Sequence, residues 1–402
     1  MLVYLTQYLS ILGRDIHMPI TFHHSLLKVC LTSSLLLSAL AAPVSLLPSS
    51  TAFAASEEAA APSSLPKVKV IGTGGTISGK SVDETSFQNY KAGTLLIQDM
   101  VDALPNKDRI AEVTTTQFGN SGSSAYSMQD LYDLSLQVDA ALKEQDGVVV
   151  TTGTDTMEEI AYFLDLTVQS PKPVVVTGSM RPWTVIGSDA QANLYNAIKL
   201  AGSGKTKYFG TVLMLNDTIH AAREVTKTND YRTDTFESPQ LGMLGYIDEK
   251  NIRIYRAPAR SLKPAYEWAT PFDLTRIKKE DLPKVEIAFS YQGAGREAID
   301  GFVAGGAQGI VTAGTGAGGI SKAMSEARQK AIEEKGVIFV TTTRTGSGSI
   351  YSGGKNIIAG DNLNAQHARI MLLVSLSFSK NADTIKGWFE TYGAPQVDLT
   401  DK

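Results

Sequence analysis

The chain has 402 residues and holds only one cysteine and five histidines. The cysteine, Cys30, lies in an apolar N-terminal stretch read below as an export signal, so the mature chain would have no thiol. That excludes a disulfide framework, thiolate-ligated zinc and a cysteine nucleophile. His17, His23 and His24 fall in the same N-terminal region, which leaves His220 and His367. Two separate histidines read as ordinary core or surface residues, and a histidine triad or a His-rich metal site is disfavoured. A dominant charge is also missing. There are 37 basic and 41 acidic residues, a net charge of -4, and no block of like sign. Nucleic acid and anionic membrane surfaces are therefore poor partners. Hydrolytic chemistry, if present, must draw on hydroxyls, carboxylates and lysine.

The N-terminus reads as a targeting segment. Met18 to Ala54 has His23, His24 and Lys28, then an apolar run through Leu40, and ends in Ala52-Phe53-Ala54. This A-x-A site predicts cleavage after Ala54 and export to the periplasm or the medium. Pro43 and Pro48 interrupt the run, which argues against a membrane anchor. Met1 to His17 precedes a plausible second start at Met18. Residues 55–66, rich in Ala, Ser, Glu and Pro, read as a disordered lead-in. The remainder, 43% hydrophobic over the whole chain, is ordinary globular composition and long enough for two domains.

The most informative stretch is Gly147 to Leu166, GVVVTTGTDTMEEIAYFLDL. Val148 to Val150 predict a strand buried on both faces, as in parallel sheets. Met157, Ile160, Ala161, Phe163 and Leu164 follow at helical spacing. Thr156 and Glu159 have the spacing of a capping box. Between strand and helix lie Gly153, Thr154 and Asp155, at the carboxyl end of a parallel strand, where open α/β sheets bind ligands. A threonine suits a tight turn badly, because its branched Cβ disfavours positive φ. Its presence there points to function.

The alternation continues in both directions. Val68 to Ile71 is a strand that enters Gly72-Thr73-Gly74-Gly75-Thr76-Ile77-Ser78-Gly79. No helical pattern follows Gly79, so a dinucleotide loop is disfavoured. Instead the glycines would let a substrate approach the backbone while Thr76 presents its hydroxyl. The polar stretch Lys80 to Gly93 reads as an exposed, mobile loop with lid character. Thr94–Leu104, Met128–Leu142 and Asp189–Leu200 are expected helices. Ile110–Phe118, Val174–Val176 and Thr211–Leu215 are expected strands, and the Gly/Ser loop Gly119 to Ser124 follows the first of these. Strand–helix alternation implies a parallel sheet with right-handed crossovers. Pro258 to Pro283 reads as a linker, and a second alternation runs from Val285 to Tyr392. The expected fold is α/β: a larger, mostly parallel N-terminal domain over 67–257, a linker over 258–283 and a smaller α/β domain over 284–402.

TGGTISG (Thr73 to Gly79) and GVVVTTGTDTMEEIAYFLDL resemble the two signature stretches of the bacterial-type L-asparaginases. VTGSMRP (Val176 to Pro182) and NDTIHAAREVTKTN (Asn216 to Asn229) resemble the next two blocks. With its export signal, the chain is similar to the exported, type II branch. The resemblance runs from about Lys67 to the end. It implies L-asparagine hydrolysis to L-aspartate and ammonia through a threonine nucleophile and an acyl-enzyme, with no metal or cofactor. Thr76 would be the nucleophile and Tyr90 its assistant. Thr154, Asp155 and Lys227 would form a hydroxyl–carboxylate–lysine set. The substrate-binding residues would be Gly75, Gly122, Ser123, Ser124, Thr154 and Asp155. Of these, Asp155 would hold the α-ammonium and Ser123 the α-carboxylate. The family implies a homotetramer with each site completed by a neighbour's small domain.

The residues themselves agree with this chemistry. A threonine hydroxyl needs a base, and with histidine disfavoured and cysteine excluded, lysine is the natural one. Which threonine attacks first, and which group takes the proton, the sequence leaves open. Departures fall around the specificity pocket. Thr152 stands where the family often has histidine, and Ser124 where it often has Gln or Glu. Ser290-Tyr291-Gln292-Gly293 replaces a stretch that often carries a substrate-touching Asn. The loop RTGSGSIYSGG, from Arg344, has no acid, whereas one subgroup has a Glu there. These changes bear on asparagine against glutamine, so a dual glutaminase-asparaginase is the near alternative. Two more distant ones are a non-catalytic amino-acid-binding protein and a nucleotide-dependent oxidoreductase.

Overall fold

The computed structural model of the chain describes residues 64–397. The expected signal over Met18 to Ala54, and nearly all of the lead-in, lie outside the described residues. Among the described residues no helix is long and apolar enough to cross a membrane.

The chain begins with β1 (Lys67–Gly74), the short strands β2 (Lys80–Ser81) and β3 (Tyr90–Lys91), α1 (Ile97–Asp102) and β4 (Glu112–Ser121). Then come α2 (Met128–Leu142), β5 (Gly147–Thr151), α3 (Met157–Thr167), β6 (Val174–Thr177), α4 (Ala190–Gly202) and β7 (Thr211–Leu215). The strands form where β-branched runs can be buried on both faces: Val148, Val149, Val150, Val175 and Val176 are inaccessible to solvent. α2 begins at a true capping box, Ser127 accepting from the Asp130 N–H at 3.2 Å while Asp130 accepts from the Ser127 N–H at 2.7 Å. The box expected at Thr156 does not form. Thr156 is the N-cap residue of α3 but makes no side-chain cap. Its own N–H donates to Ser123 Oγ at 3.0 Å, and Glu159 faces Arg369 instead.

β8 (Thr218–Ala221) returns antiparallel to β7 through Asn216 and Asp217, both at positive φ (52° and 61°). This is the backbone of a tight hairpin turn. β9 (Thr226–Lys227) pairs with β10 (Phe236–Glu237), and β11 (Gly245–Asp248) and β12 (Asn251–Ile254) extend the main sheet. Its order is β12-β11-β8-β7-β6-β5-β1-β4, parallel from β7 to β4 and antiparallel at the other edge. The chain leaves β1 for β4 on one side and returns to β5 on the other, so the ends of β1 and β5 lie at the point where strand order reverses, the ligand position of open α/β sheets.

The expected right-handedness fails at one crossover. α2 and α3 pack on the sheet face carrying Val148 and Val150, whereas α1 and α4 pack on the face carrying Val70 and Val149. Given the strand order, the crossovers through α1, α2 and α3 share one hand. The step from β6 to β7 moves in the same direction as that from β5 to β6, but its helix lies on the other face. The α4 crossover therefore has the opposite hand, against the usual right-handed rule. The polar stretch after Gly79 carries a short hairpin. β2 and β3 form an antiparallel pair, tied down by the Ser81 N–H on Thr184 Oγ1 at 3.0 Å.

From Pro258 to Pro283 the chain makes short turns, yet Trp268, Phe272 and Leu274 are buried. The second sheet comprises β13 (Val285–Phe289), β14 (Gly309–Gly314), β15 (Ile338–Thr343) and β16 (Ile357–Ala359), all parallel and in chain order. α5 (Glu297–Ala304) and α6 (Lys322–Lys335) cover one face. α7 (Ala365–Phe378) covers the other and packs on α3, joining the two sheets through one core; α8 (Ala382–Trp388) runs on into a π-helical turn, Phe389–Gly393.

His220, on β8, is buried with its Nδ1 3.0 Å from Ser238 Oγ. Burial, with the Arg256 charge nearby, pushes its pKa down from 6.5 to about 4. The unfolded chain therefore takes up a proton between pH 6.5 and about 4 that the folded chain refuses. This contribution to stability is complete above pH 6.5 and is lost as pH falls toward 4. His220→Asn should flatten that part of the stability–pH curve relative to the parent, measured by urea denaturation at a series of pH values. An unchanged slope would contradict the assignment.

Candidate active site

The site is built from the carboxyl ends of β4, β1 and β5. Gly74 and Gly75 end β1 at φ 106° and 83°, conformations that favour glycine. A Cβ on Gly75 would stand 2.2 Å from the Gly153 nitrogen, and one on Gly74 would stand 2.6 Å from the Ser121 main chain. The backbones of the Thr76 turn, the Thr154 loop and the end of β4 therefore meet with no room for side chains between them. The Gly75 N–H donates to the Ser121 carbonyl at 2.9 Å, and the Gly93 N–H to the Gly75 carbonyl at 3.2 Å. Thr73 Oγ1 donates to the Thr151 carbonyl at 3.0 Å, and Tyr126 donates its hydroxyl to the Thr73 carbonyl.

Two hydrogen-bonded sets stand on this platform. Thr76, half-buried at the start of a single helical turn, has its Oγ1 2.8 Å from the Tyr90 hydroxyl on β3. Lys227, on β9, donates to Thr154 Oγ1 at 3.0 Å and to Asp155 Oδ1 at 3.1 Å. Among the described residues no hydrogen bond joins the two sets. Thr154 is buried and the Lys227 side chain is 15% exposed, but the Asp155 side chain is 72% exposed. The Lys227–Asp155 pair is thus open to water on one side, and alone such a pair contributes little.

Ser123, buried beside Gly153, accepts the Thr156 N–H through its Oγ. Accepting this bond still leaves a hydroxyl its O–H as a donor. Gly122 has open space where a Cβ would be, and Ser124 is exposed. So the structure brings Gly75, Thr76, Tyr90, Ser123, Thr154, Asp155 and Lys227 to one sheet end. Thr152, which stands where the family often has histidine, is fully buried with its hydroxyl unpartnered. Of the two departing loops, Tyr291 and Gln292 are exposed, and Arg344 Nη1 donates to the Ser290 carbonyl at 3.1 Å, which holds the loops side by side. A cavity of about 890 Å³, lined among others by Asp165, Arg223, Arg260 and Tyr392, includes none of the expected residues.

Two further residues here escape a reading of the sequence. Glu158, in the first turn of α3, is buried, and Asn364, the N-cap residue of α7, donates to it at 3.0 Å. An acid in a helix's first turn is ordinarily read as an exposed dipole partner, so nothing in the pattern marks Glu158 as internal.

A parallel sheet with a Gly-Thr turn and a Gly-Thr-Asp turn at adjacent strand ends, faced by a lysine, defines a class of hydroxyl-based α/β site. Residues 67–260 match the family model described as Asparaginase, N-terminal, and residues 284–389 match the Glutaminase/Asparaginase C-terminal domain. The chain belongs to the asparaginase family. It is 40% identical to the L-asparaginase 2 of Bacillus subtilis, over 82% of this chain and 87% of that one. It is 35% identical to a probable periplasmic L-asparaginase of Haemophilus influenzae, over 82% and 93%. A solved structure, the probable cytoplasmic L-asparaginase of Campylobacter jejuni, superposes with a TM-score of 0.76 at 35% identity, covering 81% of this chain and 99% of that one.

The glycine contact yields a test of the platform. Gly75→Ala puts a Cβ into the Gly153 main chain at a positive φ and should cost at least about 1–3 kcal/mol of stability. Gly122→Ala, which meets nothing, should stay within about 0.5 kcal/mol of the parent. Chemical denaturation of the two variants checks the contrast, and equal stabilities would refute the close approach.

Proposed function

We propose that this protein hydrolyses the side-chain amide of L-asparagine to give L-aspartate and ammonia, with Thr76 as nucleophile. The observation that carries the reading is the pairing of the Thr76 hydroxyl with the Tyr90 phenol, on a backbone platform shared with the Lys227–Thr154–Asp155 set. Thr76 Oγ attacks the amide carbon and forms a tetrahedral intermediate. Ammonia leaves as the β-aspartyl ester forms on Thr76, and water then cleaves the ester. Tyr90 is the group within hydrogen-bond reach of the attacking oxygen, and Lys227 poises the Thr154 hydroxyl and the Asp155 carboxylate. Main-chain N–H groups of the glycine turns serve the developing oxyanion. Asp155 takes the α-ammonium, and the free O–H of Ser123 the α-carboxylate, with Gly75, Gly122 and Ser124 forming the wall around them.

The exposure of Asp155 bears on how the site closes. Its carboxylate can discriminate strongly only when water is shut out, because an exposed pair is screened. Closure by the β2–β3 hairpin and by a neighbouring small domain in a homotetramer would supply that. The exposed side chains of Phe289, at the end of β13, and of Tyr291 and Tyr351, on the small sheet's loops, support such an assembly. We read 67–257 and 284–402 as the two domains, joined by 258–283, and the Ala52-Phe53-Ala54 site as export to the periplasm or the medium. N-terminal sequencing of the exported protein should start at Ala55, and a start at Met18 would refute this.

The substrate panel tests the chemistry. L-asparagine should be turned over well. L-glutamine, one methylene longer, should be poorer by about 10–200-fold at most from apolar contacts alone. Succinamic acid, which lacks the α-ammonium, should release hardly any ammonia, because the amide is no longer held for attack. Thr76→Ala should fold, bind aspartate and lose turnover. Parental activity in Thr76→Ala would exclude the proposed nucleophile, and equal kcat/KM for succinamic acid and asparagine would exclude the role of Asp155. A kcat/KM for glutamine matching that for asparagine would assign the dual glutaminase-asparaginase.

A further inference from the structure

Glu158 is a buried carboxylate to which the reaction, as described, gives no role. Its side chain is 7% exposed, in the first turn of α3, four residues after Thr154. An ionised carboxylate in such a place must be supplied with donors. All of those it has come from outside α3. Asn364 Nδ2 donates to its Oε2 at 3.0 Å and also reaches Thr226 Oγ1, on β9, at 3.4 Å. Burial raises its pKa, and the hydrogen bonds to it only partly offset that rise.

These contacts close a ring. The tip of Lys227 binds Thr154 and Asp155, on the loop that leads into α3. The root of Lys227 is reached through its β9 neighbour Thr226, which Asn364 bridges to Glu158, on the first turn of the same helix. We infer that Glu158, bridged to Asn364, is a positioning residue that fixes the lysine's root on the helix whose leading loop carries the lysine's targets. Without it, β9 is a two-residue strand paired only to β10, too short to hold a lysine within hydrogen-bond reach of Thr154 unaided.

The surrounding charges suit this role. Glu159, the neighbouring acid, faces Arg369 of α7 at 3.6 Å, and its charge adds to the rise in the Glu158 pKa. His367 of α7 lies with Nε2 3.5 Å from Glu158 Oε2, but burial drives its pKa down to about 3, so it stays neutral. The Arg223 guanidinium is occupied by the Gly393 carbonyl and Asn362 Oδ1. Asn364 also caps α7 by accepting the His367 N–H at 2.7 Å, which ties the small sheet's central helix to the lysine's root.

This inference rests on the placement of Lys227 in the reacting set, so the experiment separates the two. The variants are Glu158→Gln, Glu158→Gln with Asn364→Asp, and Lys227→Met, each assayed in the full chain for kcat and KM with L-asparagine and for Tm. Glu158→Gln turns an N–H donor toward the Asn364 amide. It should lower kcat about 10–100-fold, the loss expected when a reacting group shifts by about an ångström, and leave KM within a few-fold. In the double variant the roles are exchanged. The carboxylate introduced by Asn364→Asp would accept from the amide introduced by Glu158→Gln, still cap α7, and so restore most of kcat. That pattern supports the inference. Parental kcat in Glu158→Gln beside an inactive Lys227→Met overturns it and leaves the proposed site standing. So does a loss of kcat that tracks a fall in Tm and is not rescued by Asn364→Asp, since that is the signature of a purely structural contact. An active Lys227→Met overturns the placement of Lys227, and this inference with it.

Discussion

Everything at the site depends on two peptide backbones touching. The ends of β1 and β5 approach until Gly75 and Gly153 leave no space for a Cβ, and only glycine allows this at the φ of 83° that Gly75 adopts. The approach places two threonine-bearing turns side by side at the point where strand order reverses. A single larger residue there would push the Thr76 and Thr154 turns apart, and with them the Thr76–Tyr90 pair and the lysine-bound set. The β-branched strands behind, buried on both faces, make the platform stiff enough for the contact to persist.

Chemistry on such a platform must manage without histidine. Both described histidines are buried, and desolvation holds each neutral well below its ordinary pKa. The polar groups at the sheet end are instead hydroxyls, one lysine and one exposed carboxylate. Hydroxyls are weak nucleophiles in water, so the arrangement has to work by position and by exclusion of water. That is consistent with the hairpin standing over the Thr76 turn and with the packing of α7 against α3, which brings a second sheet to bear on the strand that carries Lys227.

Much of this was legible in the residues. Three consecutive valines followed by helical spacing located β5 and α3, and a threonine and an aspartate marked the turn between them as the candidate site. The glycine run after Val68 to Ile71 and the blocks around Val176 and Asn216 identified the family. What could not be read was what depends on three-dimensional competition. The capping box at Thr156 had the right spacing, but Ser123, 33 residues earlier, captures the N–H. The hand of the α4 crossover is set by which sheet face α4 covers, and its residue pattern is the same for either face. β11, β12 and β16 are short strands without a strong alternating signal. Glu158 escaped notice because its donors, Asn364 among them, lie far along the chain.

If Thr76 is the nucleophile, turnover must pass through a covalent ester on its hydroxyl. Rapid quenching of the enzyme during turnover of L-asparagine, followed by proteolysis and mass spectrometry, tests it directly. The expected result is an aspartyl group on the peptide that contains Thr76 and none on the peptide that contains Thr154. An aspartyl group on Thr154, with Thr76 unmodified throughout turnover, would contradict it.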